Sequence, residues 1–275
     1  MDSENKRIKI LHHSGAGSTQ TIAEVFYQKL KDSFNCSLEG ITLDYDFNKL
    51  EAYDFIIFAC PTYHCQPSES MMDFLEKMPR FKDKKNIFFF ITYGLFSGNT
   101  ERIFIKACEN KNVNIIGSSG YKAPATDGAL LMPSWQFLFK YGKNISKKIK
   151  EDLKLIKEQI NSEQFHSDYS IRFKLYTILN YPNKLLGKKF TFNLSMDNDR
   201  CIDCNRCVDE CIRKAWINQK DGILWLSDNC ESCFKCVHHC PKEAIILSKK
   251  TFDKPKLNGD FYSDLRDKIL MDMNH

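Results

Sequence analysis

Ile8-Lys9-Ile10-Leu11-His12-His13-Ser14-Gly15-Ala16-Gly17-Ser18-Thr19 is the stretch that decides the architecture of the front of the chain. An apolar run, Ile8–Leu11, stops at a turn of Ser, Gly and Thr. After it, Thr19–Lys31 carries Ile22, Ala23, Val25, Phe26 and Leu30 at helical spacing. A strand that turns through small hydroxyl residues into a helix N-terminus is an anion site. The first N–H groups of the helix lack partners, and its dipole is positive there. Two familiar phosphate loops do not fit. A Walker A loop needs Lys after its last Gly, and here Ser18 follows Gly17. The dinucleotide fingerprint needs a third Gly where this chain has Gln20. The candidate contacts are therefore Ser14, Gly15, Ala16, Gly17, Ser18 and Thr19, working through N–H groups and hydroxyls without a cation.

Outward from this loop, strand and helix patterns alternate. Asp54–Cys60 and Asn86–Thr92 are continuous apolar runs suited to strands buried on both faces. Glu69–Met78 and Thr100–Asn110 read as helices, and Asn114–Ser118 as a fifth strand. The expected fold is α/β, a doubly wound parallel five-stranded sheet. In such sheets ligands sit at the carboxyl ends of the strands. The loops there are Cys60-Pro61-Thr62-Tyr63-His64-Cys65-Gln66-Pro67 and Thr92-Tyr93-Gly94-Leu95-Phe96-Ser97-Gly98-Asn99.

The phosphate loop resembles that of flavodoxins, whose pattern is Ser/Thr-x-Thr-Gly-x-Thr; Ala16 stands at one of its Thr positions. The resemblance implies a flavodoxin-like domain holding FMN. Pro61, Thr62, Tyr63, His64, Thr92, Tyr93, Gly94, Ser97 and Gly98 would then lie near the flavin ring. Tyr63 and Tyr93 either stack on that ring or pack on the end of the sheet. Many flavodoxins have a Gly in the third-strand loop, where this chain has His64-Cys65, so their tuning of the flavin is not carried over.

Near the C-terminus stand two runs of one spacing. They are Cys201-x-x-Cys204-x-x-Cys207-x-x-x-Cys211 and Cys230-x-x-Cys233-x-x-Cys236-x-x-x-Cys240, the second followed by Pro241 and the first by Ile212. Three thiolates at this spacing wrap one cluster while the fourth points to the other. The segment resembles a bacterial two-[4Fe–4S] ferredoxin, a small α+β domain. That family's pattern puts Cys201, Cys204, Cys207 and Cys240 on one cluster and Cys211, Cys230, Cys233 and Cys236 on the other. Zinc more often takes two separated Cys pairs, and disulfides belong to oxidising compartments. The start MDSENKRIK has no apolar signal region, so a cytoplasmic location is expected. Cys60 and Cys108 read as buried small hydrophobes.

The 275 residues suit about two domains. The expected division is 1–162 flavodoxin-like, 163–196 connector, 197–250 ferredoxin-like and 251–275 a C-terminal extension. Ile149, Leu153, Ile156 and Ile160 mark an amphipathic helix within 146–160. The stretch 169–196 mixes cations with aromatics, which suits a connector facing the clusters and, less well, a membrane surface. No run is long enough to span a bilayer, and no helix-turn-helix or basic stripe suggests nucleic acid. The whole resembles the flavodoxin–ferredoxin fusion proteins of anaerobes. That resemblance implies electron transfer between FMN and two clusters, with ferredoxin-linked or flavin oxidoreductases as redox partners. An FMN-dependent reductase, with His64 or Tyr93 as proton donor, and a redox subunit or sensor of a larger complex are the alternatives.

Overall fold

A computed structural model describes residues 6–132, 134–135, 137, 140–166, 193–220, 222–247 and 254–274. Five parallel strands form the sheet: β1 (Arg7–His12), β2 (Asn35–Gly40), β3 (Phe55–Tyr63), β5 (Lys85–Tyr93) and β6 (Val113–Lys122). Their order is β2-β1-β3-β5-β6. The order reverses between β1 and β3, which opens a crevice at their carboxyl ends. A two-residue strand, β4 (Gln66–Pro67), adds antiparallel to β3, so the five expected strands gain a short sixth.

The continuous apolar strands are explained by two cores. Ile57, Ala59, Phe88 and Phe90 face one side, against α1 (Ser18–Leu30) and α5 (Ile145–Ser162). Ile56, Phe58, Phe89 and Ile91 face the other, against α2 (Glu69–Lys77) and α3 (Thr100–Cys108). Alternate residues point to opposite faces, so a strand buried on both must be apolar throughout. Ile149, Leu153, Ile156 and Ile160 of α5 are all buried, and Cys60 and Cys108 lie in the second core. The edge strand β2 has no apolar run to announce it. β6 runs past the expected Ser118 to Lys122, carrying Gly117 and Gly120 into the sheet. A short helix, α4 (Thr126–Leu131), follows it.

The cysteine-rich segment folds as two matching halves. Ser195–Met196 pairs with Ile245–Ile246, and Trp216–Gln219 with Gly222–Trp225, both antiparallel. A helical turn sits in each half, at Arg206–Asp209 and Lys235–His239. Left-handed residues repeat at equivalent places: Asp203 and Ser232, Asn205 and Phe234, Lys214 and Glu243. The N–H of Ala215 donates to Cys211 Sγ at 3.3 Å, and that of Ala244 to Cys240 Sγ at 3.2 Å. Ile212 in place of Pro therefore leaves the backbone repeat intact.

The C-terminal helix (Gly259–Asn274) returns to the front of the molecule. Ile269 and Met273 join the core of α1 and α5, and Arg266 pairs with Glu24 at 3.0 Å. Of the expected connector, 167–192 lie outside the described residues, and with them the cations of 169–196. Among those described, no helix is long and apolar enough to cross a membrane.

Candidate functional site

The switch point of the sheet opens into a cavity of about 310 Å³. Of the residues expected around a flavin, Ser14, Gly15, Ala16, Ser18, Thr19, Pro61, Thr62, Tyr63, His64, Thr92, Tyr93 and Gly94 line it. Gly17, Ser97 and Gly98 do not. Gly17 caps α1 at φ +149°, a conformation open to glycine alone, and a Cβ there would strike the Tyr262 ring. Ser97 takes the N–H and hydroxyl of Thr100 on its carbonyl, and Gly98 packs on Cys65.

The three loop hydroxyls differ in what they offer. Ser14 Oγ accepts from Gln20 N at 3.2 Å, which leaves its own proton for a ligand. Thr19 Oγ1 and Thr92 Oγ1 are hydrogen-bonded at 2.7 Å, so one of the two hydroxyls keeps its proton for a ligand. Ser18 is a correction to the expectation of three donors: its hydroxyl donates to the Pro124 carbonyl at 3.0 Å and meets Tyr262 at 3.1 Å. Ser18 is left to contribute its N–H. No Lys or Arg lines the cavity among the described residues.

Thr62 Oγ1 is buried in the cavity wall with no partner, a polar atom that a bound polar ring edge would satisfy. The hydroxyl end of Tyr63 tucks under Gly15 toward Cys233. Burial, and then the nearby Cys233, push that phenol well above its usual range. Tyr93 packs on Gly120 at the sheet end. His64 and Cys65, both at positive φ, form the two-residue turn from β3 to β4. An anion cradle, an orphan hydroxyl and flanking aromatics fit FMN.

The sequence reading missed Ala123–Gly128, at the carboxyl end of β6, although the rule for ligand placement points there. It also missed Ser232 and Phe234, which reach the cavity from the second cysteine run and carry no local signal.

The cysteines ring two further voids. Cys207, Cys211, Cys230, Cys233 and Cys236 line one of about 160 Å³. Cys201, Cys204, Cys207, Cys236 and Cys240 line a smaller one of about 20 Å³, so Cys207 and Cys236 border both. All twelve cysteines are free. Burial, and then neighbouring thiols, push Cys207 up to about 11 and raise Cys236, while burial, then Glu231 and Cys236, raise Cys233. Buried thiols gathered this way require a cationic centre to exist as thiolates. The buried indole N–H of Trp225 points at Cys230 and pulls its thiol down against the effect of burial, a donor aimed at sulfur. Among the described residues, no three His, Cys, Asp or Glu side chains converge on a single-ion site. The donor set fits multi-atom clusters.

The two halves are locked together at this place. Glu231, 7% exposed, accepts from the N–H and hydroxyl of Ser70, both at 3.0 Å. Its other oxygen lies 3.0 Å from His13 Nε2, while His13 Nδ1 meets Ser68 Oγ at 2.8 Å. Burial alone would raise this carboxyl; His13 and the Ser70 donors outweigh it and hold it below the usual range. His239 Nε2 donates to the Ala16 carbonyl at 2.7 Å, and His238 Nε2 to that of Thr126 at 2.9 Å. Burial lowers His238 to about 4, so it is neutral, and its Nδ1 accepts from Leu257 N at 3.2 Å. Arg213 pairs with Asp73 of α2.

A sequence model of the 4Fe-4S dicluster domain matches residues 193–241. Comparison with curated protein sequences finds no match. Among solved structures, the two-electron reduced flavodoxin of Megasphaera elsdenii is 20% identical, covers 41% of this chain and 84% of its own, and has a TM-score of 0.33. A flavoprotein in complex with FMN from Lactobacillus acidophilus is 19% identical, with coverages of 42% and 93% and a TM-score of 0.34. A flavodoxin of Streptococcus pneumonia TIGR4 is 16% identical, with coverages of 57% and 99% and a TM-score of 0.42. With the strand order above, the chain is a flavodoxin-like α/β domain fused to a 4Fe–4S dicluster domain, built for redox work.

Proposed function

We propose that the protein relays electrons between FMN and two [4Fe–4S] clusters, and so joins two-electron to one-electron traffic. The observation that carries this is the contact of the two cofactor regions. A Cβ added to Gly15 would lie 3.0 Å from the Cys233 carbonyl and 3.3 Å from its Cβ. The phosphate loop and a ligand loop thus touch through their backbones.

The flavin would supply one- or two-electron redox chemistry, and each cluster one-electron exchange. The chain's residues supply the frame. The α1 N-terminus, Ser14 and the Thr19–Thr92 pair hold the phosphate by neutral donors. Cys211, Cys230, Cys233 and Cys236 hold the cluster beside the flavin, and Cys201, Cys204, Cys207 and Cys240 the farther one. Cys204 is exposed, which supports electron exchange between the farther cluster and a redox partner protein.

Anaerobic purification followed by metal, sulfide and flavin analysis tests this. About eight irons and one FMN per chain are expected from the ligand count and the phosphate cradle. Zinc in place of iron, with no flavin, overturns it.

A further inference from the structure

We propose that the loop Glu231–Lys235 of the dicluster domain is part of the flavin-binding site, with Phe234 and Ser232 as flavin-contacting residues. The inference rests on the FMN reading of the cavity and adds a wall to it that no flavodoxin-like domain contains on its own.

Phe234 and Ser14 each line both the flavin cavity and the void ringed by Cys211, Cys230, Cys233 and Cys236. They form the partition between the two sites. Ser232 lines the flavin cavity from the same loop. The backbone supports a selected role for the Phe234 ring. Phe234 sits at φ +57°, as does its counterpart Asn205 in the first half. Asn is at ease in the left-handed region; a bulky aromatic is an outlier there. The first half thus uses the residue the turn favours, and the second carries a ring against that preference. Such an outlier persists where the surroundings over-determine it, most often at ligand sites. The ring is 4% exposed and packs with Leu130 and Trp216, so the wall is rigid. Glu231, which opens the loop, and His239, in the helical turn after it, anchor it to Ser70, His13 and Ala16. The wall is therefore held in place before any ligand arrives.

The test uses the full chain with its iron in place, stripped of flavin and titrated with FMN while flavin fluorescence is followed. Phe234→Ala removes the ring, and Ser232→Asn, which the left-handed backbone there accepts, adds bulk to the cavity from the same side. Each is expected to weaken FMN binding by about tenfold or more, with iron per chain unchanged. Should Phe234→Ala shed iron, Phe234→Leu keeps the apolar bulk without the ring and takes its place. Wild-type affinity in iron-replete variants overturns the proposal and leaves the FMN reading standing. A wild-type chain that binds no FMN overturns the reading itself.

Discussion

Asp152 shows how one side chain sets a pH dependence. Its Oδ2 accepts from Ser119 Oγ at 2.6 Å and from the Tyr121 hydroxyl. Burial pushes this carboxyl above its ordinary 3.8, against the pull of those two donors and Lys148. Just above that value the folded state binds more protons than the unfolded one, so stability falls as pH rises through the window. The penalty is complete at neutral pH. Asn in its place can keep both accepted bonds on one oxygen and carries no charge to desolvate. Asp152→Asn is expected to raise stability at neutral pH by about 1 kcal/mol, the scale of one buried polar change. The gain should shrink toward pH 4. Urea midpoints at both pH values check this, and an equal gain at both would rule out the charge as the cause. Nothing local in the sequence marks Asp152. The partners that bury it come from β6, and its own position reads as the polar neighbour of Leu153 on an amphipathic helix.

Elements were legible where one residue pattern decided their burial. β3 and β5 are apolar throughout because both faces are covered, and α1 follows the hydroxyl turn. β2 was not, since an edge strand of Asn35-Cys36-Ser37-Leu38-Glu39-Gly40 buries no side chain fully. The second half of β6 was hidden by Gly117, Ser118, Ser119 and Gly120, which pairing with β5 holds extended. Most of the candidate cavity was readable from the carboxyl-end rule, and the part supplied by the dicluster domain was not. The C-terminal helix was illegible for the same reason: Tyr262, Ile269 and Met273 are its only buried residues, and their target is far away in sequence. Tyr262 meets Ser18 across 244 residues and lays its ring on Gly17. The helix therefore braces the phosphate loop from behind. Tyr262→Ala is expected to cost ~3 kcal/mol, the usual cost of deleting a buried aromatic ring. FMN should also bind more weakly, because Gly17 and Ser18 lose their backing. A lower Tm with unchanged FMN affinity would leave the helix a stabilising strut with no part in the site.

At the scale of the molecule, buried and directional contacts join the two halves, and contacts of that kind tie their unfolding together. Glu231 is a buried lock, a carboxylate that accepts two hydrogen bonds from Ser70 and lies 3.0 Å from His13 of the other half. Such a pair adds little over an apolar contact while intact, yet breaking it strands buried partners. Arg213 with Asp73, His239 with Ala16 and His238 with Thr126 spread the contact over α2, the phosphate loop and α4. Each lock involves a residue within three positions of one of the eight clustered cysteines, and those of His239 and His238 reach Ala16 and Thr126 in the cavity lining. Disorder in the dicluster half should therefore reach the flavin site directly. In the intact protein, thermal release of flavin, read by fluorescence, and loss of clusters, read by visible absorbance, are expected to coincide. Glu231→Ala leaves His13 and the Ser70 N–H without their acceptor, at a cost of about 3 kcal/mol. That cost falls on the interface and spares both cores, so the two signals should separate, with loss of one preceding the other by several degrees. Separate transitions in the wild-type chain would show that the halves unfold independently and that the buried carboxylate couples nothing. Coincident transitions in both proteins would assign the coupling to the remaining contacts, with Arg213→Ala the next variant to divide them.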